Sequence, residues 1–407
     1  MTSAARSNYT FLKGYSVKYL KSAVLSLVCV FCLFLVMIIA AGAVCVHRTI
    51  NLPEPGAVER VIIFAEINSS IFEVENRDTG GMDIETLFSD EVIAILADRS
   101  YEMSLAVDDF DDPTTVRVIR RLNDAGIPVW IWPLHPMEDG YWLATDNANK
   151  MPGLYERFQR WVDENDLVIT GVMFDMEPTY DDVQGLKEVV REGGIPGAVS
   201  YLLTRRDGGL HTEAVRIYTD MVETIRADGY EVSTFNYPYL IDDRKDGDDS
   251  IAEMFHVAFV DSDIDAYMTY RSFFKDSGLG TGSGNVASYA VELSGGSASL
   301  GSYMKDYLDE THLEADMRIA ARTSPVVHLY NLEALVMHGW LEGLSEIDLA
   351  GPVEISVGEA AMIFGYRTFF FLLDLFTGES RIFAWPLVIV LWGLCMGLVI
   401  RRKKKTS

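Results

Sequence analysis

Cysteine is nearly missing from the long middle of this 407-residue chain. All four cysteines, Cys29, Cys32, Cys45 and Cys395, fall within or at the edges of two apolar runs near the chain ends. The roughly 300 residues between those runs hold no disulfide and no thiol nucleophile, so their stability has to come from a large core. Lysine is almost as scarce there: Lys150, Lys187, Lys245, Lys275 and Lys305 are all that the middle contains. Five basic side chains lie in residues 1–48 and five more in the final RRKKK, which leaves 24 basic against 60 acidic groups between them, a net charge near −36. A surface of that sign excludes nucleic acid as a partner, because phosphates need Lys and Arg. It also suits high salt, where screening relieves self-repulsion and net charge maintains solubility. We read the acidity as an adaptation to salt.

Other absences narrow the chemistry. No G-x-G-x-x-G follows the first apolar strand, so nothing supports a dinucleotide site. His135, His211, His256, His328 and His338 show no H-x-x-x-H or H-E-x-x-H spacing, so no zinc site is expected, and no cofactor is implied. There is no G-x-S-x-G elbow of the α/β-hydrolase kind. DSDIDAYMTYRS (261–272) imitates the start of a calcium loop, but Ala266 stands where glycine is needed and Ser272 where a bidentate glutamate is needed, so calcium is rejected.

What is present begins with two long apolar runs. Ser22–Val46 is uninterrupted for 25 residues and Phe383–Ile400 for 18, against a hydrocarbon core of about 30 Å that takes ~20 helical residues. Lys13, Lys18 and Lys21 precede the first, and Arg401 to Lys405 follow the second. The positive-inside rule then puts residues 1–21 and 401–407 in the cytoplasm, with the main domain outside the cell membrane. A cleaved signal peptide is the other reading of the first run, but its apolar part spans only about 7–15 residues. A third stretch, 360–376, is nearly apolar enough to cross, yet it contains Arg367 and Asp374. Crossing there would carry the RRKKK cluster outside. It is read as a helix lying at the interface, or packed on the domain beside the anchor, with the lipid bilayer as a partner either way.

Between the runs, residues 58–350 alternate short apolar segments with amphipathic ones. Strands are predicted at 61–67, 103–107, 127–132, 167–174, 231–237, 265–270, 297–304 and 326–332, with helical stretches between most of them. Strict alternation argues a parallel sheet, and eight strands in this length fit a (β/α)8 TIM-like barrel, which typically takes ~250 residues. The seventh strand lies in Gly/Ser-rich sequence, and a doubly wound open sheet is the alternative. IDDRKDGDD (241–249) reads most simply as a solvated loop.

The fourth strand ends in GVMFDMEP. Side chains alternate along a strand, so Met173, Asp175 and Glu177 share the interior face, with the carboxylates about 6–7 Å apart along the chain. They come at the carboxyl end, where barrel enzymes place their chemistry. Burial and mutual repulsion would raise one pKa, which is what a general acid needs at neutral pH. Pro178 cannot donate to the ladder and ends the strand.

These residues resemble the fourth-strand signature of family 18 glycoside hydrolases, the chitinase-like barrels, written D-G-x-D-x-D-x-E. Gly171, Asp175 and Glu177 match it, while Thr170 and Met173 stand where two aspartates are usual. Tyr267, Met268, Thr269 and Tyr270 are similar to the family's M-x-Y motif on the sixth strand, with Arg271 in place of an aspartate. The family's third-strand S-x-G-G is replaced by WIWPLHP. The resemblance covers about twenty residues in two patches. It implies that Glu177 is the acid, that the substrate's 2-acetamido oxygen attacks the anomeric carbon, and that Asp175 and Tyr270 assist. The implied substrate is a polysaccharide or other glycan of the exterior or envelope.

Further residues are candidates for holding a sugar. Trp132 and Trp142, near the end of the third strand, are either core or a stacking platform, and Trp130 is core. Glu66 ends the first strand, Asp108 the second, and Asn236 with Tyr237 the fifth; each is placed to bind substrate at the barrel mouth or to satisfy a loop. Three functions remain open on this basis: a membrane-anchored glycoside hydrolase, a glycan-binding or scaffolding barrel without catalysis, and a different reaction on the same fold.

Overall fold

The computed structural model describes residues 34, 36–75, 80–271, 283–290, 297–301 and 310–378. Eight short parallel strands run β1 Arg60–Ala65, β2 Glu102–Val107, β3 Val129–Pro133, β4 Gly171–Asp175, β5 Glu231–Asn236, β6 Ile264–Met268, β7 Ser297–Gly301 and β8 Val326–Tyr330. Each pairs with the next and β8 pairs with β1, so the sheet closes into a barrel. Parallel neighbours need a crossover, and here helices supply it. They include α1 Asp90–Asp98, α2 Pro113–Asp124, α3 Met151–Asn165, α4 Tyr180–Arg205, α5 Gly208–Ala227, α6 Leu240–Asp246, α7 Ser250–Phe255, α8 Ser283–Ala290, α9 Glu310–Ala320, α10 Leu332–Met337 and α11 Val357–Thr377.

The period-2 alternation sorts the strand side chains into two cores. Ile63, Met103, Leu105, Ile131, Val172, Phe174, Val232 and Leu329 face outward and pack under Leu122, Phe158, Trp161, Val222 and Ile225 of the helices. Ile62, Phe64, Trp130, Trp132, Met173, Phe235, Ala266 and Met268 fill the interior.

The amino end of the barrel is sealed. Arg60 donates to both oxygens of Glu102 at 2.7 and 2.8 Å and to Glu231 at 2.9 Å. Trp130 donates its indole hydrogen to Glu102 at 2.7 Å, and the Arg60 guanidinium lies over its ring. Gly171 is required beside it: a Cβ there would stand 2.3 Å from the Trp130 ring.

Several boundaries differ from expectation. β4 begins at Gly171 rather than at residue 167, because Asp166 turns left-handed to cap α3 and Leu167 bonds back to Val162. It ends at Asp175, before Pro178, so Glu177 belongs to the loop; Tyr270 likewise follows β6 rather than lying in it. The segment 241–249 is not a solvated loop. Most of it forms α6, and buried Asp243 accepts hydrogen bonds from Ile251 and Ala252, capping α7. The Gly/Ser-rich region does supply a strand, β7, paired on both sides.

Residues 1–21, 22–33, 35, 383–400 and 401–407 lie outside the described residues, and with them most of the two expected spans. What is described of the first is part of an apolar helix, Val36–Ile50. Among the described residues, α11 is the one helix long and apolar enough to cross a membrane by length and composition. It packs on the barrel against α6, α7 and α8.

Candidate active site

The interior core stops short of the carboxyl end, leaving a small open hollow. Phe64, Glu66, Trp132, Trp142, Asp175, Glu177, Phe235, Met268, Tyr270 and Tyr330 line it. Among the described residues it is an aromatic box with three carboxylates.

Asp175 is the last residue of β4 and points inward above Met173, which is fully buried. An apolar neighbour below cannot hydrate a carboxylate. Burial pushes the Asp175 carboxyl well above the usual range, and the nearby Glu177 and Glu66 charges push it the same way. Asp175 is therefore the neutral member of the pair, and it hydrogen-bonds to Glu177. Glu177 is half-buried, and the Tyr237 hydroxyl donates to its Oε2 at 2.6 Å. Behind Tyr237, the rings of Tyr239 and then Phe370 of α11 stack at 5.2 and 4.5 Å.

Glu66 stands across the hollow. Tyr141 donates to one of its oxygens at 2.8 Å and Tyr330 to the other. Its backbone and that of Ile67 donate to the buried Glu333 carboxylate at 2.6 Å. Glu333 is nonetheless pushed up to about 7, because burial outweighs those hydrogen bonds. The walls are built from ring contacts: Phe64 meets Trp132 and Phe235 edge-on at 5.6 and 4.8 Å, and Tyr270 stacks on Tyr330 at 6.0 Å.

Of the residues singled out in the sequence, Asp175, Glu177, Tyr270, Trp132, Trp142 and Glu66 line the hollow together. Tyr237 reaches it through Glu177. Asp108 and Asn236 are not in its lining. Asp108 holds the loop after β1 by accepting from Ser70 N at 2.8 Å and from its hydroxyl. Asn236 lies on the opposite face of β5, buried, with its amide donating to Thr234. Arg271, the departure from the sixth-strand motif, turns away into a bidentate pair with buried Asp316 of α9 at 3.1 and 2.8 Å. Phe64, Phe235, Met268, Tyr330 and Glu333 were not singled out. Alternation would have found the first three, each two residues before Glu66, Tyr237 and Tyr270.

Among the described residues, two groups are spaced to hold a metal: Asp146, Asp182 and His256, and Asp243, Asp248 and Asp374. In the first, Arg205 already supplies positive charge, at 2.6 Å from Asp182. Neither group lines the hollow.

No protein-family model matches the chain, and no curated protein does. Among solved structures it is similar to the PgaB (BpsB) glycoside hydrolase domain from Bordetella bronchiseptica, at 16% identity and a TM-score of 0.43, covering 71% of this chain and 98% of that one. It is also similar to the Bacillus cereus spore cortex-lytic enzyme SleL, at 8% identity and a TM-score of 0.36, covering 75% and 76%. Likeness at these values says nothing of this chain's reaction.

Proposed function

We propose that the protein is a glycoside hydrolase acting on a glycan of the cell exterior or envelope, held at the membrane by its apolar ends. The observation that carries the reading is the Asp175–Glu177 pair: a buried carboxyl, pushed up by burial, beside a second carboxyl at an aromatic-walled mouth. Aromatic walls suit the apolar faces of sugar rings. The proton that Asp175 shares with Glu177 passes through Glu177 to the glycosidic oxygen as the bond to the anomeric carbon breaks, and Glu177 afterwards takes a proton from the attacking water. In a 2-acetamido sugar the substrate's own carbonyl oxygen attacks the anomeric carbon. Asp175, ionised by that transfer, orients that group and stabilises the positive charge, and Tyr270 donates to its oxygen.

The test is hydrolysis of aryl glycosides, N-acetylhexosaminides included, by the full chain in detergent or vesicles. Glu177→Gln keeps size and hydrogen bonding but removes the transferable proton, so the rate should fall by roughly 10²–10⁴-fold. Full activity in that variant would end the reading. A second reading is a binding barrel without catalysis, favoured by Met173 and Arg271 where the resembled motif has carboxylates. It takes over if the wild type hydrolyses nothing yet binds glycan in a manner lost in Trp132→Ala or Trp142→Ala.

A further inference from the structure

α11 carries its polarity inside out. Between Glu359 and its end at Thr377, the only charged side chains are Arg367 and Asp374, and both are turned toward the barrel. Arg367 donates to both oxygens of Asp242 at 2.9 and 2.6 Å and lies over the Tyr289 ring. Asp374 is buried. The outward stripe presents Ala361, Gly365 and Phe369 at four-residue spacing, with Phe369 38% exposed, and Phe371 is exposed on another side of the helix. A helix on a water-facing domain shows the reverse arrangement, and a continuous exposed apolar face marks a partner or a membrane.

A second helix continues this face. Val36–Ile50 packs on α11 so closely that a Cβ at Gly42 would stand 2.6 Å from the Phe364 ring, and it exposes Val36, Met37, Ile39 and Val44. The chain beyond says what covers the two. The apolar run that starts at Ser22 leads straight into the first helix, and Phe383–Ile400 starts a few residues after α11 ends. Both long apolar runs join the domain here.

We propose that the outer face of α11, with helix Val36–Ile50 beside it, is seated in the surface of a lipid bilayer. α11 lies flat and does not cross. Ile363, Arg367, Phe370 and Leu373 bind it to the barrel along its length, and a crossing α11 would drag charged α6 into hydrocarbon. The seat reaches the candidate site, since Phe370 stacks on Tyr239, Tyr239 on Tyr237, and Tyr237 grips Glu177. Resting on the hydrolase reading, this makes the substrate a glycan presented at the membrane surface, such as a lipid-linked one.

The test places single spin labels on the full chain in vesicles of phosphatidylcholine and phosphatidylglycerol, with the four native cysteines changed to Ala. Labels go on Ala361→Cys, Gly365→Cys and Phe369→Cys, with Val168→Cys as the aqueous control, since Val168 is exposed in the loop leading into β4 and Gly365 has open space for a side chain. Relaxation by lipid-soluble oxygen relative to a water-soluble nickel chelate should be several-fold higher at 361, 365 and 369 than at 168, with similar depths at 361 and 369. A ratio equal to that at 168 would overturn the seat. So would labels screened from both agents, which would mean that residues 383–400 or a second copy covers the face. A steep depth gradient from 361 to 369 toward the bilayer centre would mean that α11 crosses. Unchanged thermal unfolding of each labelled chain keeps the comparison valid. The measurement uses no catalysis, so it can fail while the hydrolase reading stands, and the reverse.

Discussion

Tyr237 and Glu177 are joined by a 2.6 Å hydrogen bond in which the phenol donates to Oε2. The ring beneath that phenol is itself fixed by its stack on Tyr239. Tyr237 is thus a positioning residue for the acid. Tyr237→Phe should lower kcat about tenfold, corresponding to one hydrogen bond of ~1–1.5 kcal/mol, with KM and melting temperature little changed. A raised KM at constant kcat would instead make Tyr237 a substrate ligand.

Asp175→Asn should split function from stability. The rate should fall, most on substrates carrying a 2-acetamido group, and Tyr270→Phe should cost less than either carboxylate change. Stability should move the other way. The folded pKa of Asp175 lies above its unfolded value, so the wild type loses stability as pH rises above about 4. Asn has no proton to lose. Unfolding in denaturant should show the variant more stable than wild type at pH 7, with the gap closing toward pH 4.

Glu333 gives a second window. Its carboxyl rises from 4.5 to about 7 on folding, so its contribution is complete below pH 4.5 and is lost by the time pH passes 7. The loss is on the order of 3 kcal/mol. Glu333→Gln keeps an oxygen for the Glu66 and Ile67 amides and should flatten the stability profile between those limits. An unchanged profile would mean that other groups set it.

Gly171→Ala should destabilise the barrel by about 1–3 kcal/mol, because the new methyl meets the Trp130 ring at 2.3 Å and the Glu231 carbonyl oxygen at 2.6 Å. Trp130→Phe in the same chain should recover part of the loss. Thermal unfolding of the single and double variants reads this directly.

The charge near −36 predicts that the domain gains stability steeply as salt rises from tens of millimolar into the molar range. A melting temperature that stays flat or falls would remove salt adaptation as the reason for the acidity.

The barrel was legible because its rule is periodic: apolar runs alternate with amphipathic ones, and each strand alternates within itself. The same rule brought Asp175 and Glu177 to one face. What escaped was set by contacts distant in sequence. Nothing local marks Asn236 as facing the helices, since one residue of register decides it. Arg271 looked like a defect in a motif, and it is half of an ion pair whose other half lies 45 residues away. Glu333 and Tyr330 became visible only once β8 had closed against β1. α6 was hidden because IDDRKDGDD is polar enough for a loop, and its helix is held by Asp243 capping α7 and Asp242 gripping Arg367.

The Arg60, Glu102 and Trp130 plug has a consequence for traffic. It stops the barrel at one end, so the hollow is a cul-de-sac, and on the hydrolase reading no glycan strand threads through it. Whatever sugar reaches Asp175 enters past Glu177 and leaves by the same doorway. On that reading, chain-length selection falls to the lip, to the aromatic side chains around the opening and to whatever lies next to α11, and the depth of the barrel has no part in it.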